Sequence, residues 1–334
     1  MVVDIHTHFV PETFPPMSDR PGGDRWPQMN RLDERTGQVT ISGRNFRTVN
    51  DDCWNPERRL ELMEQGGVRR QAVSPMPELL SYWGEPAPAL DFARHMNEGI
   101  LRLVEYAPDR FTGLGMVPLQ DPDLAAKELS ALKAQGLVGV ELGSNILGKS
   151  LGDPRFLPFF AEAAAQGMAI FIHSFHPGSL DRLVGPPGLD NFIGFPLEIA
   201  FTIGSLITGG TLVHCDNVRI ACSHGGGGFA MVLPRLTHGW TTSEALRAVV
   251  PLSPMEYARR LYYDTLVYDP RTIQYMIELF GTRQLAVGSD FPFIVQEIPP
   301  GKALGQVTTL SPEDRQAITT DNALRFLGLA APAS

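Results

Sequence analysis

Five residues of this chain could share one chemistry: His6, His8, His173, His224 and Asp290. Each closes a short apolar run, Val2–His8, Ala169–Ser174, Arg219–His224 or Leu285–Asp290. In His6-Thr7-His8 the two imidazoles stand at i and i+2 of a strand, on one face and about 6–7 Å apart, so they can converge on an ion between them. Any one of these residues alone is adequately explained as a satisfied buried polar group. Four strand ends delivering histidines and a carboxylate to one side is the pattern of a metal centre. Nitrogen and oxygen donors without thiolate suit Zn²⁺ best, with Mn²⁺, Fe²⁺ and Co²⁺ as alternatives. His6, His8, His173 and Asp290 would hold the ion and leave one position open for water. His224 would remain a free acid/base, a role suited to an imidazole beside a metal-activated water. The three cysteines, Cys53, Cys215 and Cys222, are odd in number and show no CxxC spacing. A disulfide framework or thiolate site is therefore not expected, and a reducing cytoplasm is.

The elements that must position these groups alternate. Besides the four runs above, Arg70–Pro75, Phe111–Pro118, Leu137–Gly143 and Leu261–Leu266 read as strands. Amphipathic segments at Ala89–Tyr106, Asp123–Gln135, Arg155–Gln166, Pro270–Phe280 and Ser311–Leu327 read as helices. Strand alternating with helix means parallel pairing, and eight such units predict one (β/α)8 TIM-type barrel spanning residues 1–334. No GxGxxG follows the first strand, so a dinucleotide-binding sheet is not supported. In a barrel the functional groups lie at the C-terminal strand ends, where these five fall. The gap from His8 to Arg70 is too long for one connection. Its Gln38–Val49 stretch alternates and turns at Ser42-Gly43, which predicts a β-hairpin insertion, residues 10–55, capping the mouth. The glycines Gly225–Gly228 after His224 either turn the chain freely or bring backbone amides close to a ligand.

The net charge of −9 argues against a nucleic-acid partner, and no run of 18 apolar residues suggests a membrane span. A small-molecule ligand is the expected partner.

The sequence resembles the amidohydrolase superfamily, specifically its decarboxylase branch typified by 2-amino-3-carboxymuconate-6-semialdehyde decarboxylase. The residues that carry the likeness run through the chain and include Asn45-Phe46-Arg47-Thr48-Val49, Cys53-Trp54-Asn55-Pro56-Glu57, Leu80-Ser81-Tyr82-Trp83, His224 through Phe229, Arg235-Leu236-Thr237-His238-Gly239 and Gly288-Ser289-Asp290-Phe291-Pro292-Phe293. The resemblance implies a zinc held by His6, His8, His173 and Asp290, with His224 as acid/base. It implies non-oxidative loss of CO2 from an unsaturated or aromatic acid, with no organic cofactor. It further implies that Arg47 binds a substrate carboxylate and that Arg235 reaches into the neighbouring subunit's site, so that the working unit is a homodimer. From the residues alone, Arg235 could equally form an internal ion pair.

Three places depart from that pattern. His173-Ser174-Phe175-His176-Pro177 adds His176, which could line the pocket as a substrate-binding residue, compete as a ligand or cap a loop. Gly185–Phe195 lacks the tryptophan that walls the pocket in relatives. Glu141 replaces a neutral residue and could face either the helices or the barrel. Phe291 and Phe293 either wall the pocket or pack in the core. The same metal-activated water could instead serve a lactone or amide hydrolase or a hydratase, and a catalytically inactive metal-binding protein is the remaining alternative.

Overall fold

The computed structural model describes residues 1–17, 19–178 and 180–330; Ser18 of the insertion and the last four residues of the assigned domain lie outside the described residues. The eight strands are β1 (Val2–Phe9), β2 (Val68–Pro75), β3 (Phe111–Gly115), β4 (Gly139–Gly143), β5 (Ala169–His173), β6 (Arg219–Cys222), β7 (Tyr262–Asp264) and β8 (Leu285–Ala286). They pair in sequence order, all parallel. The sheet closes on itself through the segment after β8: Ile5 N donates to Val287 O at 2.9 Å, Asp290 N to His6 O at 2.9 Å and His8 N to Phe291 O at 2.7 Å. The regular part of β8 is shorter than its sequence run, and beyond it the chain stays bonded to β1 through a left-handed Asp290, φ 64°. Asp is among the few residues that adopt this conformation at modest cost.

Inside the barrel Val3, Ile5, Ala72, Leu114, Ala169, Phe171, Ala221 and Ala286 form one apolar layer, continuous with Leu324, Phe326 and Leu327 of the C-terminal helix. That plug fills the end opposite the site, so the polar mouth rests on a dry, packed floor. The helices start on caps the sequence supplies. Asp121 accepts from Leu124 N ahead of Pro122–Gln135, and Asp269 from Arg271 N and Thr272 N ahead of Pro270–Phe280. Two long helices, Phe195–Thr208 and Phe229–Thr242, were not signalled by amphipathic spacing, since both keep apolar residues exposed as well as buried.

The predicted hairpin is present and gains a third strand. Gln28–Arg31, Thr36–Ile41 and Arg44–Asn50 form an antiparallel sheet. Trp26, fully buried, pins this cap to the barrel through Trp83 and Phe92, with ring centroids 4.6 and 5.5 Å away. The glycine run has a steric reason. A Cβ on Gly227, whose φ is +58°, would sit 1.9 Å from the carbonyl oxygen of Pro196, so only glycine lets the His224 turn lie against the helix Phe195–Thr208.

Candidate functional site

The ends of β1, β5 and the segment after β8 bring His6, His8, His173 and Asp290 together, all buried, with ligand atoms within 4.8 Å of one another. The orientation of each ring is fixed from behind. His6 Nδ1 donates to Asp264 Oδ2 at 2.7 Å, His8 Nδ1 to Pro75 O at 3.2 Å and His173 Nδ1 to Ser174 O at 2.8 Å. With every Nδ1 proton committed outward, three Nε2 lone pairs face one another: His6 and His8 Nε2 are 3.2 Å apart, and buried His173 Nε2 has no hydrogen-bond partner. Asp290 Oδ1 adds a carboxylate oxygen 3.0 Å from His8 Nε2 and 3.7 Å from His6 Nε2. Three lone pairs and an anionic oxygen in one dry volume repel one another unless a cation sits among them, so the residues present fit a divalent metal.

The electrostatics of His6, His173 and Asp290 agree with that reading, and His8 shifts the opposite way. Burial lowers the affinity of His6 for a proton, and burial together with the charges of His224, His6 and His8 holds His173 well below the usual imidazole range. At His8 burial is outweighed by the hydrogen bond to Asp290 and the charge of Glu141, which raise it. Burial alone would raise Asp290, yet the His6 charge and hydrogen bonds from His224 and His8 keep it ionised well below the ordinary range.

His224 stands beside this cluster rather than in it. Its Nε2 is 3.8 Å from Asp290 Oδ2, its side chain is slightly exposed, and its φ of 54° places it on a strained turn. Asp264, at the end of β7, holds that turn. It accepts His224 N at 3.0 Å and Gly225 N at 2.7 Å while orienting His6, and these bonds with the His6 charge keep it ionised against the effect of its burial. Sequence reading missed Asp264, although it closes the seventh strand on the same register as the other strand-end groups. Asp4 is a second omission. It accepts from His6 N and Ser289 N, both at 3.1 Å, and from Ser289 Oγ, stitching β1 to the eighth strand, and burial pushes its carboxyl up to about 7.

Glu141 faces the barrel. It is fully buried, accepts from Ser74 Oγ, lies 3.8 Å from His8 Nδ1, and is pushed up to about 8 by burial. Arg59 gave no sequence signal. Wholly buried, it donates to His8 O at 2.8 Å, Thr7 Oγ1 at 3.1 Å and Gln71 Oε1 at 3.0 Å, reaches the cap backbone at Asp52 and Cys53, and lies 4.9 Å over Phe291. It thereby locks the metal-bearing end of β1 to the cap. Replacing Arg59 with leucine, which strands several buried acceptors, is expected to destabilise the protein by about 3 kcal/mol in urea unfolding.

Two openings reach the cluster. A cavity of about 760 Å³ is bounded by Phe192, His224, Gly227, Leu266, Tyr268 and Ile294 among others, and a narrow cleft by His8, Arg47, Glu78, His173, Phe195 and Phe293; Asn191, Asp290 and Val295 border both. Arg47 arrives from the cap strand Arg44–Asn50, its guanidinium 4.2 Å over the ring of Phe293, which in turn stacks on His8 at 5.2 Å. The other sequence candidates lie outside these openings. His176, with a left-handed φ of 41°, is exposed, stacks on Phe175 at 3.9 Å and borders neither opening. Phe291 packs beneath Arg59 and borders neither opening. Arg235 is exposed on the helix Phe229–Thr242 and also borders neither.

The amidohydrolase family model matches residues 3–329. The chain belongs to the amidohydrolase family. It is 33% identical over 329 residues to the 2-amino-3-carboxymuconate-6-semialdehyde decarboxylase of Dictyostelium discoideum, covering 98% of this chain and 91% of that protein. It is 28% identical over 294 residues to the gamma-resorcylate decarboxylase of Rhodococcus jostii, covering 81% and 87%. Among solved structures, the IDCase of Metarhizium anisopliae in its apo form superposes with a TM-score of 0.83 at 22% identity, covering 100% of this chain and 98% of that one. This amidohydrolase thus shares its (β/α)8 frame with that enzyme over the full barrel.

Proposed function

We propose that this protein is a metal-dependent, non-oxidative decarboxylase of a small unsaturated or aromatic carboxylic acid bearing an amino or hydroxyl group. The observation that carries the reading is the convergence of three outward-tethered imidazoles and Asp290, with His224 beside them and Arg47 lining the same cleft as His8, His173 and Asp290. Relatives named for an amino-carboxymuconate semialdehyde and for a resorcylate, a dihydroxybenzoate, support the substrate class. Zinc is the ion the donor set favours, and no organic cofactor is required.

A divalent metal held by His6, His8, His173 and Asp290 would stabilise negative charge on the substrate and lower the pKa of water. The chain's own residues do the rest. Arg47, pre-oriented on Phe293, grips a carboxylate bidentately. His224 Nε2 delivers a proton to the carbon that carries the departing carboxylate. As the carbon–carbon bond breaks, its electron pair stays on that carbon to hold the new proton, and CO2 leaves. Asp264 keeps the His224 turn and the His6 ring in register through this step.

The working unit is a homodimer. Arg235 lies one helical turn from Met231, and Met231, Val232, Leu197 and Phe201 expose an apolar surface on neighbouring helices that suits a second copy. From that surface Arg235 extends into the partner's site. Three free, buried cysteines support a cytoplasmic location. Zinc-loaded protein is expected to release one CO2 per molecule consumed from at least one member of a panel of amino- and hydroxy-substituted muconic and benzoic acids, and chelator-treated protein none. Turnover of a lactone or amide without gas would show a hydrolase instead.

A further inference from the structure

Glu78 opens a short turn, Pro77–Leu80, between β2 and the helix Pro86–Tyr106, and borders the cleft beside His8, Arg47, His173, Asp290 and Phe293. Among the described residues neither Glu78 nor Arg47 belongs to an ion pair within 4.0 Å. The two opposite charges therefore face one cleft without satisfying each other. A carboxylate can only accept hydrogen bonds when ionised and a guanidinium can only donate them, so the pair presents two distinct demands to whatever enters. The guanidinium matches a carboxylate. The acceptor oxygens of Glu78 match an N–H or O–H. Burial pushes the Glu78 carboxyl up, and the Arg47 charge across the cleft opposes that push.

We infer that Glu78 is a specificity-determining residue, whose carboxylate accepts a hydrogen bond from an amino or hydroxyl group carried next to the substrate carboxylate that Arg47 holds. The inference rests on the decarboxylase reading above and deepens it by naming the group that selects the substrate. An acid lacking the donor would leave Glu78 desolvated and unpaired as it fills the cleft, which costs more than a missing attraction. Glu78 thus discriminates against plain carboxylates rather than merely adding affinity for substituted ones.

The test measures dissociation constants of 2-aminobenzoate, 2-hydroxybenzoate and benzoate by isothermal titration calorimetry on the zinc-loaded full-length protein, its Glu78→Ala and Glu78→Gln variants, with thermal unfolding as a check on folding. The wild type is expected to bind the two donor-bearing acids about 10- to 100-fold more tightly than benzoate. Glu78→Ala should collapse that preference and leave benzoate affinity the same or improved. Glu78→Gln, isosteric and still carrying a carbonyl acceptor, should retain part of the preference. A preference that survives Glu78→Ala, or an equal loss for all three acids, overturns the assignment of Glu78 and leaves the decarboxylase reading standing if CO2 is still released. Failure of the wild type to bind any of the three acids overturns the assignment of Glu78, and the decarboxylase reading then stands or falls on CO2 release from the wider panel.

Discussion

Replacing His224 with alanine is expected to lower kcat by roughly 10³-fold while leaving a stoichiometric metal in place, because a positioned general acid contributes on this order. The separation of the two readouts follows from the geometry. His224 Nε2 meets the cluster only through Asp290 Oδ2 at 3.8 Å, and the four residues whose ligand atoms lie within 4.8 Å of one another do not include it. Its turn should also survive the substitution. Asp264 grips the backbone amides of residues 224 and 225, and Gly227 N donates to the carbonyl of residue 224 at 2.8 Å. The cost of a left-handed alanine, about 1–2 kcal/mol, bears on stability and not on the metal. Steady-state kinetics beside metal analysis of the same preparation checks this. Wild-type turnover in the variant would remove His224 from the proton transfer, and loss of the metal would make it a ligand.

Asp290→Asn is expected to weaken metal binding by roughly 10²-fold or more and to abolish measurable turnover, since even residues behind the ligands change metal affinity 10- to 100-fold. Asparagine is the informative replacement. It keeps the shape and tolerates the left-handed backbone that Asp290 adopts, φ 64°, so the effect reports the lost charge and not a collapsed strand end. In the proposed function that charge has two duties. Oδ1 lies 3.0 Å from His8 Nε2 on the metal side and Oδ2 3.8 Å from His224 Nε2 on the acid/base side, so one change disturbs both. Metal affinity would be read by competition against a chromophoric chelator. Unchanged affinity would mean that the three imidazoles hold the ion alone and that Asp290 serves only His224.

The fold and the centre of the site were legible because both depend on period and position. Parallel strands buried on both faces write themselves as apolar runs, and a barrel site collects whatever polar residues close those runs. His6, His8, His173, His224 and Asp290 are all of this kind. What stayed hidden depends on contacts between distant segments. Arg59 lies on an unremarkable helix, and only the folded chain shows it bonded to His8 O and Thr7 Oγ1. Glu78 sits in a turn with no periodicity, and reaches the cleft because that turn follows β2 at the barrel mouth. The sequence leaves the role of His176 open for the converse reason. It is adjacent in sequence to the site, but its backbone is left-handed and its ring stacks on Phe175 and borders neither opening. The apolar helices Phe195–Thr208 and Phe229–Thr242 escaped because an amphipathic pattern assumes water on the far face, and here that face is apolar too.

In the proposed reaction an active-site proton replaces a carboxylate with no oxidant involved. The direct test is turnover of an accepted substrate by the zinc-loaded protein in D2O, with CO2 and O2 monitored and the product examined by NMR. One CO2 per product, no O2 consumed and one deuterium on the carbon that bore the carboxylate are expected. A product that retains every carbon and gains the elements of water would contradict it.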